Sequence, residues 1–311
     1  MLLMTSQTVF AITAESADSP VPVLSETSPR CVAEGEAVSI AVTDREIVVI
    51  PLEGPERRIV HAVPQLIASC LLVERDNAVE VLLGTVGSRL FHCSLAGGET
   101  QAVTSFDQLP CRNQWHTPWG GPAAVRSLAM TPDGWIYADI HVGSIMRSRD
   151  WGHNWEPVTP TLNEDVHEVA TCPAAPAAVY ANTALAVYVS NDRGMSWDHR
   201  AKDLGERYGR AMAVHPQQPE VLLATVSDGP HEEHVHGQLF RSEDGGRTWA
   251  HVVDGFPAST AENIDTFHVV FDKEGGVWAA CGQHLFRSED TGISWREKWQ
   301  APENITMLSC R

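Results

Sequence analysis

The sequence predicts an all-β fold, a six-bladed β-propeller with seven blades as the alternative, each blade a four-stranded antiparallel sheet. Three observations predict it. An eight-residue pattern occurs four times, with starts 42, 52 and 46 residues apart, a spacing typical of propeller blades. Short apolar runs of strand length precede each copy. The 311 residues include 23 Gly, 19 Pro and 10 Trp, with 43% hydrophobic and only 20% charged residues. That composition is rich in turns yet holds enough apolar material for a large core.

The elements follow in order. Residues 1–35 read as an N-terminal tail or wrap-around segment, and residues 36–311 as a single propeller. Val38–Val42 and Glu46–Pro51 form a first hairpin. Val79–Val86 and Arg89–Cys93 form a second, leading into Ser94–Thr100, a decayed copy of the repeat without its Asp and Trp. Val125–Thr131, Glu168–Cys172, Ala211–His215 and Phe267–Phe271 read as inner strands. Trp135–Ile140, Val179–Asn182, Val221–Val226 and Val277–Cys281 read as second strands. The terminal run Ile305–Cys310 reads as an inner strand that completes the first blade, closing the ring and removing exposed edges. A strand over Gln7–Thr13 would make a seventh blade.

The repeats are Ser148–Trp155, Ser190–Trp197, Ser242–Trp249 and Ser288–Trp295, with the pattern S-x-D-x-G-x-[ST/N]-W. In a tight turn the Ser and Asp side chains satisfy backbone N–H groups, Gly takes a positive φ, and Trp buries a large ring. These roles build blades and are not catalytic. The pattern resembles the Asp-box, or BNR repeat, of sialidase-like propellers, including bacterial BNR-repeat proteins. That resemblance implies the fold. It does not carry sialidase chemistry, for which the family uses an Arg-Ile-Pro motif and three arginines. Here the nearest string is Arg58-Ile59-Val60, and only Arg126 and Arg210 stand at the channel. Relatives without activity, such as assembly factors and sorting receptors, use the same scaffold to hold protein partners.

Blade topology places the repeat turns on one face. Second-to-third strand turns and the crossings between blades lie on the other, around the channel mouth. Counting six residues back from Pro132, Pro173 and Pro216 gives Arg126, His167 and Arg210 at equivalent places. Asp165, His167, Tyr208 and Arg210 form the candidate catalytic group: a His beside a carboxylate for a base, Tyr for an acid, Arg for an oxyanion. Arg126, Trp115, Trp119, His116 and Asp265 are candidate substrate-binding residues, the indoles as an aromatic wall and the guanidinium as half of a carboxylate clamp. His141, with His231, His234 and His236 in the loop from Asp228, is a candidate set for a divalent transition metal (zinc, iron, copper or manganese). Asp139 is placed on the same turn as His141.

The net charge of −18 and 40 acidic against 22 basic residues argue against nucleic acid or an anionic membrane as partner. Seven scattered cysteines and the absence of a basic n-region predict a reduced, cytoplasmic protein. The function expected is a metal-assisted hydrolase or lyase acting on a small anionic or hydroxylated, glycan-like molecule at the mouth. The alternative is a scaffold that binds a protein there.

Overall fold

The computed structural model describes all residues except 13–17, 26, 52–53, 76–77, 98, 159–160, 206, 231–234 and 311. It contains seven four-stranded antiparallel sheets arranged as blades, which corrects the expectation of six. Blades one to six run in chain order, with inner strands Cys31–Glu34, Ile67–Arg75, Val125–Met130, Val166–Cys172, Tyr208–Val214 and Val269–Phe271. The seventh joins distant parts of the chain: Ile305–Ser309 is its inner strand, and Leu2–Thr5, Val9–Ala11 and Val21–Leu24 are the other three.

The run 305–310 therefore does not complete the first blade. Leu3 pairs with Leu308 and Met4 with Met307, and Cys31–Val60 forms blade one by itself. The described residues within 1–35 supply four strands. Two features hid the seventh blade. Its N-terminal strands are three or four residues long, and Leu2–Thr5 is buried at every position, so no apolar–polar alternation marks it as a strand.

Core side chains fill the spaces between neighbouring blades. Leu3, Phe10 and Leu308 of blade seven meet Trp278 and Leu285 of blade six. On its other side Leu2, Met4 and Met307 join blades one and two around Ile40, Val48 and Leu83. Each such side chain contributes on the order of 2 kcal/mol by leaving water, so both faces of the closing blade are secured by packing.

The four repeat turns share one hydrogen-bond pattern. The Ser hydroxyl donates to the Asp carboxylate at 2.7–2.9 Å and accepts the Gly N–H at 2.8–2.9 Å. The same carboxylate takes the N–H of the seventh residue at 2.8–2.9 Å. Gly152, Gly194, Gly246 and Gly292 have φ between 81° and 90°. The residue before each is also left-handed, as at Trp151 and Thr291, so the turn is tighter than one glycine implies. The four Trp rings are buried.

Candidate functional site

The inner strands of blades two to five are irregular at one level. Pairing skips from Ile67 to Ser69, Val125 to Leu128, Val166 to Glu168 and Gly209 to Met212. A bulge breaks the two-residue alternation and turns a side chain away from the sheet face it would otherwise take. Ala68, Arg126, His167 and Arg210 occupy these four bulges. The last three are the residues found by counting back from proline. Tyr208 and Arg210, which precede the predicted inner strand Ala211–His215, lie within the observed one, Tyr208–Val214.

Arg126, Arg210, Asp265 and Ala68 line a cavity of about 620 Å³ at the mouth opposite the repeat turns. Segment 265–268 closes its floor. Thr266 donates to the His167 carbonyl at 3.0 Å, the Phe267 N–H reaches the Glu168 carboxylate at 3.2 Å, and the Phe267 carbonyl accepts from Leu308 N–H at 3.0 Å. This piece of blade six thus touches blades four and seven across the channel. Phe267 has φ 62° and packs on the core of blades one, two and seven. It is a plug residue, where the sequence had placed it in a strand.

Beside the cavity the candidate residues converge. His167 is 0% exposed, its Nδ1 against the Gly209 carbonyl and its Nε2 3.2 Å from Asp165 Oδ1. The Nδ1 contact ties blade four to blade five, while Nε2 and Asp165 Oδ1 face each other without hydrogen-bond geometry. His141 Nε2 lies 4.0 Å from the same carboxylate oxygen. The Tyr208 ring is 4.8 Å from that of His167, and the Arg210 guanidinium is 5.1 Å from the Tyr208 ring and 3.3 Å from Asp265. Trp119, 68% exposed, stands edge-on to His141 at 5.2 Å.

Charge and burial set the protonation states. Burial, reinforced by the Arg126 charge, pulls His141 down to about 4, so the ring is neutral at pH 7. Burial would raise Asp165 and Asp265, but His167 beside the first and Arg210 beside the second outweigh it. Both are therefore carboxylates. Burial raises Tyr208 and keeps it a phenol. Asp139 is 0% exposed within its strand, with Oδ1 on the Ser127 N–H at 2.6 Å. Burial pushes it up to about 7 against the pull of Arg126. It does not sit on the turn where the sequence placed it, and no ligand at the mouth can touch it. Arg126 Nη1, Arg210 Nε and Asp139 Oδ2 are buried with no hydrogen-bond partner among the described residues.

The remaining candidates lie apart. Trp115 packs on Phe106 at 5.4 Å beneath the Arg112 guanidinium, as part of the crossing before blade three. His116 bridges to Val142, with its Nδ1 on the Gln114 carbonyl. His236 pairs with Asp228 of its own loop at 2.6 Å, while His231 and His234 lie outside the described residues. Among the described residues no group of three or more His, Cys, Asp or Glu side chains is arranged to hold a metal ion. The seven cysteines are free thiols, and among the described residues no helix is long and apolar enough to cross a membrane.

Two buried residues escaped the sequence reading. Glu168 accepts from the Met212 and Phe267 N–H groups, and burial raises it well above the usual range. Asn182 donates to the Ala211 and Thr225 carbonyls and occupies the space beside Gly209, where a Cβ would fall 1.7 Å from its Oδ1. The Tyr208-Gly209-Arg210 string could have flagged that close approach.

Residues 143–256 match the profile of a family described as "Sortilin, neurotensin receptor 3". The probable oligoxyloglucan-reducing end-specific xyloglucanase of Neosartorya fischeri is 27% identical over 208 residues, covering 55% of this chain and 24% of that protein. The oligoxyloglucan-reducing end-specific xyloglucanase of Emericella nidulans is 33% identical over 121 residues, 35% of this chain and 14% of that one. The chain thus spans a quarter or less of these relatives. Among solved structures, the GH74 enzyme of Niastella koreensis superposes with a TM-score of 0.72 at 13% identity, over 94% of this chain and 51% of that one. YCF48 bound to D1 peptide gives 0.61 at 16%, over 89% and 84%. These likenesses establish the propeller. The sialidase-like resemblance rests on the repeat turns alone.

Proposed function

We propose that this chain is a glycan-acting propeller whose mouth grips a carboxylate-bearing sugar unit and cleaves the adjoining bond by general acid–base chemistry. One observation carries the reading: two half-buried guanidinium groups, Arg126 and Arg210, line the same cavity, each with a buried nitrogen lacking a partner among the described residues. Leaving a buried donor unsatisfied is costly, and an anion in the cavity would compensate the two guanidinium charges. The xyloglucanase relatives support glycans as the ligand class. Next to the pair stand a neutral imidazole (His141), a carboxylate (Asp165) and a phenol (Tyr208), which together offer proton acceptors and a donor. Trp119 provides an exposed ring for a sugar face.

The test is calorimetric titration with glucuronic acid and glucose, followed by reducing-end release from acidic oligosaccharides. Binding of the acid but not glucose, lost by at least tenfold in Arg210→Gln, is expected. Equal affinity for acid and neutral sugar, or an unaffected variant, would overturn the assignment. A second reading, a grip on a peptide, draws on exposed Leu66, Trp119 and Leu185 around the mouth and on the peptide-bound YCF48 likeness. Peptide binding without oligosaccharide cleavage would select it.

A further inference from the structure

A second cavity of about 480 Å³ adjoins the first and shares Glu262, Asn263, Gly282 and Asn304 with it. It lies between the crossing from blade five to blade six and the second-to-third turn of blade six. Ile264 and Phe286, both buried, give it an apolar floor. Its character differs from that of the mouth: no lysine or arginine lines it among the described residues, and Glu262 stands at the boundary. Asn263 is fixed there by the Ser227 hydroxyl at 2.6 Å and by its own amide on the Gly229 carbonyl at 3.2 Å, so the boundary is held by side-chain bonds. Gly282 keeps the passage open. A Cβ there would meet only Asn304 Oδ1, at 3.9 Å, and every bulkier residue would project into the neck.

We infer that the ligand is an oligosaccharide of mixed charge, with an acidic unit at Arg126 and Arg210 and a covalently linked neutral unit in the second cavity. Both volumes lie within the range of small-ligand sites. A second carboxylate would face Glu262 with no lysine or arginine to compensate and with His284 already against Glu297 at 2.7 Å, a like-charge contact that disfavours polymers made only of uronate. Hydroxyl groups meet no such penalty, and a sugar's C–H face suits the Ile264–Phe286 floor.

The inference rests on the guanidinium grip, so the probes separate the two. Calorimetry would compare glucuronic acid, an aldobiouronic acid joining glucuronate to a neutral sugar, and digalacturonic acid. The aldobiouronic acid should bind at least tenfold tighter than either of the others. Gly282→Asn, which suits the left-handed φ of 58°, should weaken the disaccharide at least tenfold more than it weakens glucuronic acid. Asn304→Phe, at an exposed position, should do the same if the first variant folds poorly. Glucuronic acid binding as tightly as the disaccharide, digalacturonic acid binding tightest, or both neck variants without effect would overturn the second cavity and leave the grip standing. No binding of any acid would overturn the grip itself, and the inference with it.

Discussion

The aspartates of the repeat turns and the charged groups at the mouth meet their hydrogen-bonding needs in opposite ways. On the turn face each aspartate is satisfied within its own repeat. Burial alone would raise Asp244 and Asp290, but hydrogen bonds from Thr248 and Ser294 outweigh it and bring both to about 2. On the mouth face the charged groups depend on other blades: Glu168 serves blades five and six, His167 reaches Gly209, and Arg126 and Arg210 keep nitrogens without partners among the described residues. A polar residue whose needs are met within four positions builds the scaffold. One that is buried and left wanting at a cavity is where a ligand gains most.

The largest expected effect breaks the scaffold side of this contrast. Trp249 is buried, with its indole N–H on the Arg200 carbonyl at 3.0 Å. Trp249→Ala should lower unfolding free energy by about 3–5 kcal/mol in urea titrations, while the folded fraction keeps its affinity for acidic sugars.

Asp139→Asn sharpens the mouth side. Asp139 binds its proton more tightly folded (about 7) than unfolded, so its contribution to stability falls as pH rises from about 4 to 7. His141 runs the other way: its folded value near 4 means stability is lost as pH drops from about 6.5 towards 4. The two slopes oppose each other in the parent. Removing the carboxyl should make the variant gain on the parent by about 1 kcal/mol per pH unit across that window, read from denaturation midpoints. Parallel pH curves would refute the assignment.

Arg126→Met should lower stability by about 1–3 kcal/mol, because the buried Asp139 loses the cation that offsets its burial, yet abolish acid binding. A large stability loss without a binding change would make Arg126 a scaffold residue after all. Smallest of all, Ile293→Ser, at an exposed variable position of a repeat turn, should stay within about 0.5 kcal/mol of the parent.

Blades three to six were legible because Ser, Asp, Gly and Trp recur at fixed offsets, and turn chemistry ties each to one role. The mouth was legible in part for the same reason: Arg126, His167 and Arg210 share a register with the turn prolines. Their division of labour was not. His167 is sealed in and Arg126 opens to the cavity because of bulges, which leave no mark in hydrophobic alternation. Glu168 looked like any polar residue in a strand until Phe267 crossed the channel to meet it. The Asp228–His236 loop shows the reverse case, a conspicuous composition whose described histidine, His236, pairs within its own loop.

The closing blade has a consequence for how the protein is made. Its outer three strands are synthesised early, yet the strand that pairs Leu3 with Leu308 arrives roughly three hundred residues later. On the ribosome, blades one to six can form one after another from nearby segments. The early strands meanwhile wait with an unpaired hydrogen-bonding edge and apolar side chains such as Leu2 and Leu3 exposed, a state prone to aggregation. Emergence of Ile305–Ser309, rather than of any earlier blade, is then the moment at which the ring can close, and chaperone occupancy should peak just before it.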